Sequence, residues 1–179
     1  MDARTLIHLK LIRRVLCSLL FILIVSGTDA DARDFLTDKE IELIQDAQAV
    51  DNRTRIYMEA AALRLKTVQD RLNGKESEPG DPMEFFSVED MLDDYCRIFR
   101  SVILIADDAF QNRRRKENAN ISKALKTLKS ESAKRMKELE ALKPIAEEKQ
   151  GKEFIKRVNQ AIEITEEAFE GAQEGLSLL

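Results

Sequence analysis

The sequence predicts an all-α protein: an antiparallel bundle of about four long helices plus a short N-terminal helix, following a cleaved signal peptide. Three observations predict it. Charged residues make up 35% of the chain and are interspersed with Leu, Ile and Ala, while Trp is absent and Gly and Pro number only 6 and 3, a helix-forming composition. Two stretches repeat apolar residues at alternating spacings of three and four, the seam of helices packed lengthwise. No stretch after residue 32 alternates β-branched residues in the manner of a strand.

The N-terminus carries Arg4, Lys10, Arg13 and Arg14, then an apolar run over residues 15–25 interrupted only by Ser18, then Ser26-Gly27 and small residues at Ala30 and Ala32. That order is a secretory signal peptide, residues 1–32, with cleavage after Ala32. Its apolar run is shorter than the roughly 20 residues of a bilayer span. Leu9, Leu11 and Ile12 add apolar character, so an uncleaved anchor in the inner membrane is the alternative. Cys17 opens the apolar run, whereas a lipidated cysteine would close it. The expected location is therefore periplasmic or secreted, in a bacterium. Processing leaves residues 33–179, about one domain's worth of chain. The remaining chain is modestly acidic and exported, which argues against a nucleic-acid partner. Processing also removes His8, the only histidine, and leaves Cys96 as the single thiol, expected to be buried and inert among Tyr95, Ile98 and Phe99.

Each helix has its own signals. Thr37 and Glu40 form a capping box, closed by Leu36 and Ile41 as a hydrophobic staple, and open a first helix running to about Val50. Asp51 caps a second helix or marks a bend. The second helix presents Met58, Ala61, Leu65, Val68 and Leu72, widened by Ile56 and Leu63, and stops at Asn73-Gly74. Residues 73–86 form an exposed loop holding two of the three prolines. Ser87 with Asp90 starts the third helix. It carries Val88, Met91, Leu92, Tyr95, Phe99, Val102, Ile103, Ala106 and Phe110. Residues 102–106 are apolar all round, which predicts the most buried helix. The fourth helix presents Ile121, Leu125, Leu128, Ser132, Leu139 and Leu142, and Pro144 ends or kinks it. The last, from about Lys152, presents Ile155, Val158, Ile162, Thr165, Phe169, Ala172, Leu176 and Leu179, with Gly171 and Gly175 weakening its end.

Much chemistry is excluded. Without His8 no Ser-His-Asp or Cys-His nucleophile can be assembled, nor the Glu-x-x-His motif of di-iron bundles, nor a zinc site of ordinary His and Cys ligands. No glycine-rich phosphate loop or D-x-D-x-D-G calcium loop occurs. The expectation is a non-enzymatic protein without a cofactor.

Charge is segregated along the chain. Residues 76–108 hold ten acids and two bases, residues 113–143 eleven bases and four acids, and residues 144–179 eight acids and four bases. One reading lays the basic fourth helix between two acidic neighbours, which fixes topology. The other presents a basic face to an acidic protein or an anionic envelope component, with Arg113, Arg114, Arg115 and Lys116 as candidate partner-binding residues. Asp107 and Asp108 interrupt an apolar stretch. At least one is expected near the bundle interface, in an ion pair with Arg53, Arg55 or Arg64 or in contact with a ligand. Asp93-Asp94 lies fourteen residues upstream, so one member of each pair shares a helix face.

Leu36-Thr37-Asp38-Lys39-Glu40 resembles the Leu-Thr-x-x-Gln motif of small periplasmic helical chaperones of the Spy and CpxP type, with Glu40 where glutamine is expected. Those proteins present a concave basic cradle, for which residues 113–143 would be the counterpart. Asp51-Asn52-Arg53-Thr54-Arg55-Ile56-Tyr57 and Asp107-Asp108-Ala109-Phe110 look like segments of an uncharacterised family of exported all-helical bacterial proteins, a resemblance that implies no activity. The leading functional expectation is an exported bundle that binds a macromolecule through a charged face. The alternatives are a holdase-like chaperone and a small-ligand or cation binder using the aspartates. The two long seams leave packing within one chain or between copies open, and membrane contact is expected only through an uncleaved signal segment.

Overall fold

Among the described residues of the computed structural model five helices follow one another: α1 (Asp38–Asp46), α2 (Val50–Leu72), α3 (Val88–Gln111), α4 (Asn118–Lys149) and α5 (Lys152–Ser177). The structure describes residues 34–112, 117–149 and 151–179; the signal segment and Arg113, Arg114, Arg115 and Lys116 lie outside the described residues.

The boundaries follow local chemistry. At α1 the Thr37 hydroxyl accepts from the Glu40 amide (3.3 Å) while Glu40 Oε2 accepts from the Thr37 amide (2.8 Å). At α3, Ser87 and Asp90 exchange the same pair of bonds, at 3.0 and 2.9 Å. Each box satisfies two amides that helix geometry leaves open. Gly74, with φ +81°, follows the end of α2, a left-handed conformation that glycine adopts without penalty. One junction differs from expectation. α1 stops at Asp46, and α2 begins after Ala49 with no side-chain cap, so Asp51 sits in the first turn instead of capping it. Pro144 lies inside α4, which continues past it. Proline forfeits one amide and leaves the carbonyl of residue 140 open; both residues are exposed, so water can satisfy that carbonyl.

Phe35–Leu179 form one compact unit. Around the bundle the order is α2, α3, α5, α4, with α1 lying on α2 alone. Arg157, near the start of α5, meets Asp93, near the start of α3, at 3.3 Å, so α3 and α5 run parallel. Gly175 at the end of α5 faces Leu125 at the start of α4, and a Cβ there would come within 3.0 Å of the leucine. α4 and α5 are therefore antiparallel, and Gly175 permits a close approach where the sequence suggested only a weak helix end. α4 packs between acidic α5 and α2, while acidic α3 lies across the diagonal. The basic helix is thus not held between two acidic neighbours.

All five predicted seam residues of α2 are buried, as is Ile56, but Leu63 is 45% exposed. α2 buries ten residues to nine for the slightly longer α3. The expectation that α3 is the most buried is not met: of its apolar run 102–106 only Val102 and Ala106 are buried, Ile103 and Ile105 are half-buried, and Leu104 is 69% exposed. In α5 the buried line is Phe154, Val158, Ala161, Thr165, Ala168 and Ala172. It runs one residue ahead of Ile155, Ile162, Phe169 and Leu176, which are half-buried on its flank. Small Ala161 and Ala168 at the centre let the neighbouring helices approach. In α4 the predicted seam is buried throughout, and Arg135 fills the position between Ser132 and Leu139. Its guanidinium bonds Glu131 at 3.0 Å and Glu138 at 2.7 Å on its own helix.

A polar contact crosses the core near this arginine. Tyr95 and Thr165, both fully buried, lie 2.7 Å apart, and the Thr165 hydroxyl donates to the Ala161 carbonyl at 2.6 Å. Thr165 has one hydrogen, so Tyr95 is the donor between the two. Burial pushes the Tyr95 phenol far above its ordinary range, outweighing its bond to Thr165. The two deletions should therefore differ. Thr165→Val strands a buried donor and is expected to cost about 1–3 kcal/mol, whereas Tyr95→Phe leaves the Thr165–Ala161 bond intact and should cost about 1 kcal/mol. Urea unfolding of the two variants measures the difference; a larger loss in Tyr95→Phe would reverse the donor assignment.

Candidate functional site

The surface of the bundle carries two built features, a groove over α2 and a basic strip along α4. The groove lies between α1, α2 and the loop joining α2 to α3, and encloses about 460 Å³. Ile56, Ala60 and Leu63 form its floor, with Leu43 on one wall and Pro82 and Met83 on the other. Leu43 and Leu63 are 46% and 45% exposed. The helical period places Leu63 just off the buried seam, and the groove is where that apolar surface goes.

Two arginines seven residues apart on α2 fix the two walls. Arg64, 1% exposed, bonds both oxygens of Glu40, with Nη2 to Oε2 at 2.7 Å. It also donates to the carbonyls of Phe35 (3.0 Å) and Ala60 (3.4 Å). The capping carboxylate of α1 is thus also the acceptor that docks α1 on α2. Burial alone would raise the Glu40 pKa; the bonds and charge of Arg64 and the bonds to Thr37 outweigh it and hold the carboxyl below its ordinary value. A carboxylate serves this role better than an amide because it accepts both guanidinium bonds and carries the opposing charge. Arg71 fixes the other wall. Its Nη2 donates to the carbonyls of Met83 and Glu84 (the latter at 3.2 Å) and to Ser77 Oγ at 2.8 Å, and Met83 is 1% exposed. Residues 73–86 were expected as an exposed loop. They are anchored at Met83, because Arg71 gathers carbonyls that a turn leaves open.

The basic strip follows from α4's outer face. Lys123, Lys126, Lys134 and Lys137 are all exposed and recur at helical spacing. The acids of that stretch are engaged, Glu131 and Glu138 with Arg135. At 1.5 Å per residue the strip runs about 20 Å. Lys129 stands at its edge, 5.5 Å from the Phe169 ring centroid of α5.

The candidate residues from sequence divide. Arg113, Arg114, Arg115 and Lys116 lie outside the described residues. Asp107 and Asp108 are both exposed, so the expected core ion pair with the α2 arginines is corrected. Their turn of α3 faces solvent, and Asp108 accepts from Asn112 at 2.8 Å. Asp93 turns to Arg157 of α5 and Asp94 is buried. Arg55 is exposed and bonds Glu59 at 2.6 Å. Arg53 is half-buried, its Nε without a hydrogen-bond partner. Among the described arginines of α2, Arg64 is the buried one, and Glu40 is its partner. Cys96 is 3% exposed, and burial pushes its thiol up to about 11. Among the described residues no cluster of His, Cys, Asp and Glu could hold a metal ion, and no helix is long and apolar enough to cross a membrane.

Sequence reading missed Arg135 and Arg71. The acids flanking Arg135 at positions 131 and 138, with an arginine at the vacant seam position, were a usable signal. Arg71 offered none, because its partners are loop carbonyls.

What these features define is a four-helix bundle with an added docking helix. No family model, curated protein or solved structure matches the chain.

Proposed function

We propose that the chain is an exported, non-enzymatic helical bundle that binds a macromolecular partner through a charged face. The exposed row of Lys123, Lys126, Lys134 and Lys137 carries this reading. Four like charges on one helix face repel one another and add nothing to packing, whereas an anionic protein or envelope component would neutralise them together. Arg113, Arg114, Arg115 and Lys116 precede the row in sequence and extend the same charge. Export rests on the signal-like residues 1–32, and an intact mass of the mature protein beginning at Arg33 checks it.

The test reverses all four lysines to glutamate. Each side chain is exposed, so the fold should persist, as circular dichroism would register. Capture of the partner from a native envelope extract is expected to fall at least about tenfold, with wild-type capture weakening as salt rises. Undiminished capture by the reversed variant would dismiss the basic face as the binding surface.

A further inference from the structure

We propose that the groove over α2 is a second docking site, whose occupant is a basic amphipathic helix of a partner protein. The site is separate from the basic strip and calls for a partner of opposite charge, so it stands whether or not that strip binds.

Four observations converge. The groove is lined by Leu43, Ile56, Ala60, Leu63, Pro82 and Met83, with Leu43 and Leu63 nearly half exposed. Its volume, about 460 Å³, suits a few large side chains in a row, the anchors that one helix presents at positions i, i+3 or i+4 and i+7. Its walls are already fixed by Arg64 and Arg71, so docking does not have to order them.

The charge of the walls selects the occupant. The charged residues lining the groove are Asp38, Glu40, Glu59 and Asp81 against a single base, Lys39. The arginines beneath are committed, Arg55 to Glu59 and Arg64 to Glu40. At the rim Asp38 and Lys39 are exposed and Asp81 is half-buried, which leaves the rim acidic. A second copy of this chain would bring the same acidic walls against each other. A helix with apolar anchors and Lys or Arg on its flanks meets both the apolar floor and the acidic rim.

The probe is a fluorescently labelled peptide of Leu and Lys in helical period. The comparisons are a scrambled peptide of the same composition and the same pattern with Glu for Lys. Saturable anisotropy is expected with the Leu/Lys peptide. Binding should weaken about tenfold or more in Leu63→Glu and in Leu43→Glu, the scale of losing one buried anchor. It should be unchanged in Leu104→Glu, an exposed leucine of α3 that does not line the groove. Both groove positions are exposed enough to tolerate the change, and coincident thermal melts confirm it. Absent binding, equal binding of the scrambled or Glu peptide, or equal binding by all three variants would overturn the proposal. So would self-association of the wild type that Leu63→Glu abolishes, which would make a second copy the occupant.

Discussion

Arg64→Ala is expected to destabilise the protein by about 3–5 kcal/mol, because removing one partner of a buried ion pair leaves the other buried and uncompensated. Arg64 is 1% exposed and the Glu40 side chain 13% exposed. The substitution also removes the donor to the Phe35 carbonyl, which lies outside any helix. α1 lies on α2 alone, so the chain can respond by releasing α1. That release exposes Ile44 and the half-buried Phe35 and Leu36. Hydrogen exchange over residues 37–46 should accelerate much more than exchange in α3 or α5. Glu40→Gln keeps the capping acceptor and loses the charge, so its cost should fall between wild type and Arg64→Ala. A loss below 1 kcal/mol in Arg64→Ala would contradict the role assigned to the pair.

The same pair gives a pH dependence with a definite sign. The Glu40 carboxyl is held below its ordinary value in the folded state. Its contribution is therefore fully present above the unfolded-state pKa of about 4.3. It is lost as pH falls through the lower folded value. α1 should loosen in acid, and Glu40→Gln should abolish that component of the transition.

The elements most legible in the sequence are those set by residues close in the chain. Thr37 with Glu40, Ser87 with Asp90, and Asn73-Gly74 place three helix ends through contacts within a turn. The α2 seam was legible because Met58, Ala61, Leu65, Val68 and Leu72 are its only regular apolar line. In α5, two lines one residue apart compete. Periodicity favours bulky Ile155, Ile162 and Phe169, but packing centres the line of Phe154, Ala161 and Ala168, where the two alanines let neighbouring helices come close. Asp107 and Asp108 misled for a related reason. An apolar run such as residues 102–106 does not reveal which of its members turns outward, and Leu104 does. The partner of Arg64 lies twenty-four residues away across a helix junction. The capping box gives Glu40 a complete local role, so nothing in the sequence calls for a second one. The groove was hidden by the same reasoning: Leu63 was counted into the seam, and only the placement of α1 and the loop shows it to be surface.

Phe99→Ala should cost about 3–5 kcal/mol, the range for deleting a buried aromatic ring, and lower the melting temperature by roughly 6–20 °C. Phe99 is fully buried, and its ring centroid lies 4.6 Å from that of Tyr95 at an interplanar angle of 30°. The size of such a loss depends on how far the surroundings relax into the void. Tyr95, whose ring packs on that of Phe99, could fill it, but its hydroxyl is tied to Thr165. Swinging its ring toward the vacancy would break a buried hydrogen bond, so the void should persist and the cost should lie toward the upper end. Phe99→Met keeps most of the volume and should stay below about 1.5 kcal/mol. The tether itself can be tested. In Tyr95→Phe the ring is free to shift, so adding Phe99→Ala to that background should cost less than it does in the wild type. A double-mutant cycle by urea unfolding measures the difference. Strict additivity would mean that the hydrogen bond does not restrain the ring.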